Sequence, residues 1–140
     1  ALGGLQSHCS FNILSYNATP SAWRAERDGL KLHRAGTETI ESAKAWTRAL
    51  EVATGTNIHD TLAAALDVPD VETIYLLSDG GPSRGGGTAE VERRAEAMNY
   101  LRGVRIVTYG FTAEGQGSYD EEFMKRLARS NWGWYRRLND

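Results

Sequence analysis

Glu72 to Gly87 reads ETIYLLSDGGPSRGGG. Ile74, Leu76 and Leu77, with Tyr75 among them, make a short apolar run, and Gly80, Gly81 and Pro82 stop it. The run is too short for a buried helix and is bounded by turn residues. It predicts a central strand of a parallel sheet, covered on both faces. The strand delivers Asp79 to the mouth of a loop that contains Gly85, Gly86 and Gly87. Ligands of open parallel sheets gather just past the carboxyl ends of the strands, so function is to be sought at Asp79 first.

The chain downstream continues the alternation. Thr88 to Arg102 predicts a helix capped by Thr88, with Val91, Ala95, Met98 and Leu101 as its inner stripe and Gly103 as its stop. Val104 to Gly110, VRIVTYG, predicts a strand, and Gly115 to Gly117 a loop. Ser118 to Glu121 has capping-box spacing before a helix whose Phe123, Met124, Leu127 and Ala128 face inward. Trp134 to Leu138 predicts an edge strand.

Upstream, Ile58 to Leu66 predicts a short helix ended by Val68 and Pro69, after a loop over Thr54 to Asn57. Thr37 to Ala53 predicts a longer helix, with Thr37 as cap and Ile40, Ala43, Trp46, Leu50 and Ala53 toward the sheet. Ser10 to Asn17, SFNILSYN, predicts one strand. Between them, Ala22 to Arg24, anchored by Trp23, and Leu30 to His33 compete as a short strand. The order predicts a single α/β domain over residues 1–140. Its sheet is doubly wound and mostly parallel, with right-handed crossovers and helices on both faces.

Composition narrows the function classes. Lys plus Arg is 16 against 18 for Asp plus Glu, a net charge of −2, which argues against a dedicated nucleic-acid binder. A single cysteine, Cys9, excludes an internal disulfide and a multi-thiolate zinc site. No apolar run approaches the ~20 residues that cross a bilayer, and Ala1 to Leu5 is too short for a signal peptide.

Gly81 to Gly85, GPSRG, matches the G-x-S-x-G hydrolase pattern, but Ser83 falls in mid-loop rather than on a strand-to-helix elbow, and all three histidines precede it. The glycine loop lacks the lysine of a phosphate-binding loop. A small phosphate-binding hydrolase using Asp79 stays open as an alternative. The stronger pairing is Thr56 with Asp79, each in a loop opening on the same sheet edge. A hydroxyl and a carboxylate are hard ligands, suited to Mg2+ or Mn2+. The plain alternatives are that Thr56 caps a helix and that Asp79 holds a turn.

Taken in order, FNILSY at Phe11 to Tyr16, GTNI at Gly55 to Ile58, IYLLSDG at Ile74 to Gly80, and LARSNWGWY at Leu127 to Tyr135 resemble segments of the von Willebrand factor type A domain, in its bacterial flavour. The resemblance spans nearly the whole chain. It implies a protein-binding or adhesion module, not an enzyme. Thr56 and Asp79 would belong to a metal-ion-dependent adhesion site that takes an acidic side chain from a protein partner. Asn57, Ser78, Gly80, Gly81 and Ser83 would lie around it. The family's D-x-S-x-S loop, first strand and first helix are not found in these 140 residues. On this reading the domain is N-terminally incomplete. Metal binding is then expected to be weak or absent for this chain alone, and a structural module with a degenerate site is the alternative. The first strand would lie between SFNILSYN and IYLLSD, so the sheet is expected to close directly, to gape, or to borrow a strand.

Overall fold

The computed structural model describes residues 4–51, 54–111 and 120–138. The elements are β1 (Ser10–Phe11), β2 (Leu14–Tyr16), β3 (Pro20–Ala22), β4 (His33–Arg34), α1 (Thr37–Arg48), α2 (Ile58–Asp67), β5 (Thr73–Ser78), α3 (Thr88–Asn99), β6 (Arg105–Gly110), α4 (Glu121–Ser130) and β7 (Tyr135–Arg137). Strands β5, β6 and β7 form a three-stranded parallel sheet in that order. Ile58, Leu62 and Leu66 of α2, Val91 and Ala95 of α3, and Phe123, Met124 and Leu127 of α4 pack with Leu76 and Ile106 into one core. The architecture is α/β, as the alternation predicts.

The covered face and the opposite face of the sheet differ. Leu76 and Ser78 are buried, whereas Tyr75 is 61% and Leu77 50% exposed. Cover on both faces of this strand is therefore not what the described residues provide.

The N-terminal segment also departs from the predicted single strand over Ser10 to Asn17. It is divided into β1, antiparallel to β4, and β2, antiparallel to β3. The division falls at Asn12, whose side-chain amide donates to the carbonyls of Arg24 (2.9 Å) and Lys31 (2.8 Å). Both competing short strands form, displaced to Pro20–Ala22 and His33–Arg34. The two flanking halves of the sheet do not close on one another, because no described strand pairs with the outer edge of β5.

Helix ends explain further differences. Gly36 and Gly87, not Thr37 and Thr88, occupy the N-cap positions of α1 and α3, and neither makes a side-chain cap. Helix α1 stops at Arg48, short of the predicted end at Ala53, which lies outside the described residues. It is tied to the residue that follows β3, where Trp23 Nε1 donates to Ser42 Oγ at 3.3 Å. Only Ala43 of its expected stripe is buried, and Leu50 is exposed. Helix α3 ends at Asn99, so Leu101 is 92% exposed. Asp120 caps α4, accepting from the Phe123 amide at 2.9 Å. The predicted cap Ser118 and the Gly115 to Gly117 loop lie outside the described residues.

The Leu127 to Tyr135 segment shows why its residue types matter. Asn131 is buried. Its Nδ2 donates to Leu127 O (2.8 Å) and its Oδ1 accepts from Asn99 Nδ2 (2.9 Å). Asn99 in turn accepts from Val104 N and donates to Val104 O. This pair satisfies the buried backbone where α3 enters β6 and α4 leaves for β7. Next to it, a Cβ on Gly133 would stand 1.7 Å from the Ile106 carbonyl oxygen. Only glycine permits this approach. Gly133→Ala is expected to cost more than about 3 kcal/mol, measured as the shift of the urea unfolding midpoint. An unchanged midpoint would contradict the close contact.

Candidate functional site

The loop edge past β5 is built by reciprocal hydrogen bonds. The Thr56 amide donates to Ser83 Oγ at 2.8 Å, and the Ser83 and Arg84 amides donate back to the Thr56 carbonyl at 3.0 and 3.3 Å. The loop after Asp79 is thereby folded onto the turn before α2. Glycine is required here: Gly85 has φ +77°, and a Cβ there would lie 2.6 Å from Asn57 Oδ1.

Asn57 is buried and is the N-cap of α2, accepting from the Asp60 amide at 3.1 Å. Its Nδ2 donates to Asp60 Oδ2 (2.9 Å), and its own amide donates to the Asn17 carbonyl at the end of β2 (2.9 Å). The hydrogen bonds from Asn57, first, and His59, second, hold the Asp60 carboxyl below its usual range. The cap is thus Asn57, and the reading of Thr56 as a helix cap is not met. No described residue hydrogen-bonds the Thr56 hydroxyl.

A similar result holds at Asp79. The turn after β5 is held by Ser78, whose hydroxyl donates to Gly80 O (2.7 Å) and accepts from Gly80 N (3.2 Å). Asp79 is half-buried, and its carboxylate takes no hydrogen bond or ion pair among the described residues. Turn-holding falls to Ser78 and leaves Asp79 without that task. Gly81 lies beside Asp120, where its Cβ would be 3.4 Å from Asp120 Cβ and 3.7 Å from Oδ2.

Two residues at this edge escaped sequence reading. Asp120 was legible only as an acidic residue ahead of Glu121 and Glu122, and nothing local placed it against Gly81. Tyr16 read as a further strand residue. Its ring packs against the core, and its hydroxyl donates to the Leu77 carbonyl. Burial pushes its phenol up to about 12, the negative charge of Asp79 adding to the shift and a hydrogen bond with Ser78 opposing it.

Because the folded state favours the neutral phenol, the stability that Tyr16 contributes is complete below pH ~10. It is lost as pH rises toward about 12. Tyrosinate absorbance titration should show a phenol ionising near 12 that Tyr16→Phe removes. Ionisation of Tyr16 in the ordinary phenol range would contradict its desolvation beside Asp79.

The fold is that of a von Willebrand factor type A structure. The chain is similar to a von Willebrand factor type A structure from Catenulispora acidiphila, with a TM-score of 0.81 at 17% identity, over 99% of this chain and 32% of that one. It is also 24% identical to inter-alpha-trypsin inhibitor heavy chain H4 of Bos taurus over 98% of its length. With von Willebrand factor A domain-containing protein 3B of Homo sapiens it shares 28% identity over 89%. It spans 15% and 8% of those two relatives. No family model matches the chain.

Among the described residues, no three His, Cys, Asp or Glu side chains come together in a way that could hold a metal ion. Thr56 and Asp79 offer two oxygen donors, and Mg2+ requires a near-ideal octahedron of six. The donors present do not by themselves fit the ion. No helix among the described residues is long and apolar enough to cross a membrane.

Proposed function

We propose that this chain is a protein-binding module of the von Willebrand factor type A kind, and that it is not an enzyme. Its contact surface is the loop edge formed by Thr56, Asp79, Gly80, Gly81 and the Ser83 to Gly87 loop. One observation carries the reading. Thr56 and Asp79 stand on turns bound to each other through Ser83, yet among the described residues the Thr56 hydroxyl and the Asp79 carboxylate do none of the local holding, which falls to Asn57 and Ser78. A half-buried carboxylate with no hydrogen-bond or ion-pair partner among the described residues is costly to desolvate, and residues kept at such a cost mark functional sites. Thr56 and Asp79 would contribute two of the oxygen ligands of a divalent cation whose remaining ligands these residues do not supply.

Stability separates this reading from a merely structural Asp79. Asp79→Asn is expected to stabilise the fold by about 0.5–1 kcal/mol, read as a higher urea midpoint. Destabilisation by Asp79→Asn would mean that the carboxylate holds the fold and would overturn the proposal. Calorimetric titration with Mg2+ and with Mn2+ is expected to give no tight site, and a low-micromolar dissociation constant would show that the donor set is sufficient after all. A degenerate structural module is the second reading, favoured by the shortage of ligands. Metal-dependent perturbation at Thr56 and Asp79 counts against it.

A further inference from the structure

The end of the sheet remote from Asp79 carries side chains that the fold does not use. Glu72, Thr73, Gly103, Arg105 and Trp132 line one open cavity of about 400 Å3, where β5 and β6 begin. The Arg105 amide donates to the Glu72 carbonyl at 2.9 Å, so the two backbones are held side by side. Both side chains are exposed, and neither makes a hydrogen bond or ion pair among the described residues. Arg102, next in the chain to Gly103, is different. Its guanidinium donates to the Leu66 and Val68 carbonyls at the end of α2.

Trp132 is the more telling residue. Asn131 is the C-cap of α4, and the Gly133 amide closes the helix on the Ala128 carbonyl at 2.9 Å. Trp132 takes the position after the cap, with φ +54°. Glycine or asparagine normally fills that left-handed position, and a bulky side chain there is strained. The ring is not buried in return, being 59% exposed. Tyr100 and Leu101, 79% and 92% exposed, stand on the neighbouring turn, because the Asn99 to Asn131 hydrogen bond sets the ends of α3 and α4 side by side. An indole kept exposed in a strained conformation, with a tyrosine and the Arg105 guanidinium around it, has the residue types that anchor protein interfaces.

The charges decide which partner fits. An acid and a base stand at the starts of adjacent strands, with exposed apolar side chains beside them. A partner of one charge sign would leave one of the two unmatched. A second copy related by a two-fold axis matches both, because Glu72 of each copy then meets Arg105 of the other. We propose that this end of the sheet is the interface of a two-fold homodimer, with Glu72 and Arg105 as its reciprocal charge pair and Trp132, Tyr100 and Leu101 as its apolar contacts. It lies at the opposite end of β5 from Asp79, so the dimer leaves the Thr56 and Asp79 edge open. The inference rests on neither of those residues and stands apart from the proposed function.

Sedimentation velocity of the full chain should show a dimer at about 100 µM that dissociates on dilution. Glu72→Arg and Arg105→Glu should each weaken it by about tenfold or more, since each sets like charges against one another. An equimolar mixture of the two variants should restore the dimer, because a patch with two arginines then meets a patch with two glutamates. Trp132→Gly separates the interface from the fold. It should raise the urea midpoint of the dilute, monomeric chain yet weaken the dimer by about tenfold or more. A chain that stays monomeric at the higher concentration overturns the proposal. A dimer that ignores both charge reversals would assign the contact to another surface, such as the exposed Tyr75 and Leu77 face, and overturns it equally. Failure of the mixed variants to associate also overturns it, as does loss of stability on Trp132→Gly, which would show that the ring serves the fold.

Discussion

Residues Thr73 to Ser78 of β5 lie in parallel register with Arg105 to Gly110 of β6. That ladder constrains most of what surrounds it. Side chains alternate along a strand, so a slip of one residue would exchange the buried Leu76 and Ser78 for the exposed Tyr75 and Leu77. The register is fixed from the far side of β6 as well. Gly133 presses its backbone against Ile106, and the Ile106 amide donates to Asn131 O at 3.0 Å. Once β5 is set, Ser78 turns the chain at Gly80, and the loop that follows reaches Thr56 through Ser83. The position of Asp79 is thus a consequence of core packing some distance away.

The parts of the fold legible in the sequence are those decided by local pattern. β5, β6 and β7 and the helices between them follow from apolar runs, helical spacing and glycine stops, and Gly103 does adopt φ +65° at its helix end. What was illegible depends on contacts between distant residues. Nothing in SFNILSYN reveals that Asn12 will bond the carbonyls of Arg24 and Lys31 and divide the strand. Thr37 and Thr88 look like caps, yet they form the first helical residues after Gly36 and Gly87, because glycine also accepts the extended cap conformation. The apolar spacing of α1 predicts a stripe toward the sheet, but of that stripe only Ala43 is buried.

The candidate site shows the same division. Thr56, Asn57, Ser78 and Asp79 could be named from motif and spacing, and their assembly at one edge was implied by strand polarity. Their division of labour was not. Asparagine at the cap and serine in the turn take over the tasks that threonine and aspartate would otherwise be assigned. Sequence cannot choose between neighbouring polar residues for such bonds, because the choice rests on side-chain direction. Tyr16 is a further case, an aromatic residue of β2 that reaches Leu77 and comes beside Asp79 only through the tertiary fold.

Among the described residues, the Thr56 hydroxyl and the Asp79 carboxylate are left at the loop edge past β5 as oxygen donors that do not hold the fold. Paramagnetic broadening of backbone amide resonances by Mn2+ tests this most directly, since it locates even a weakly bound ion. The strongest broadening is expected at Thr56 and at Ser78 to Gly81, reduced by Asp79→Asn. Broadening centred instead on the acidic side chains of Glu121 and Glu122, and unchanged by that substitution, would contradict it.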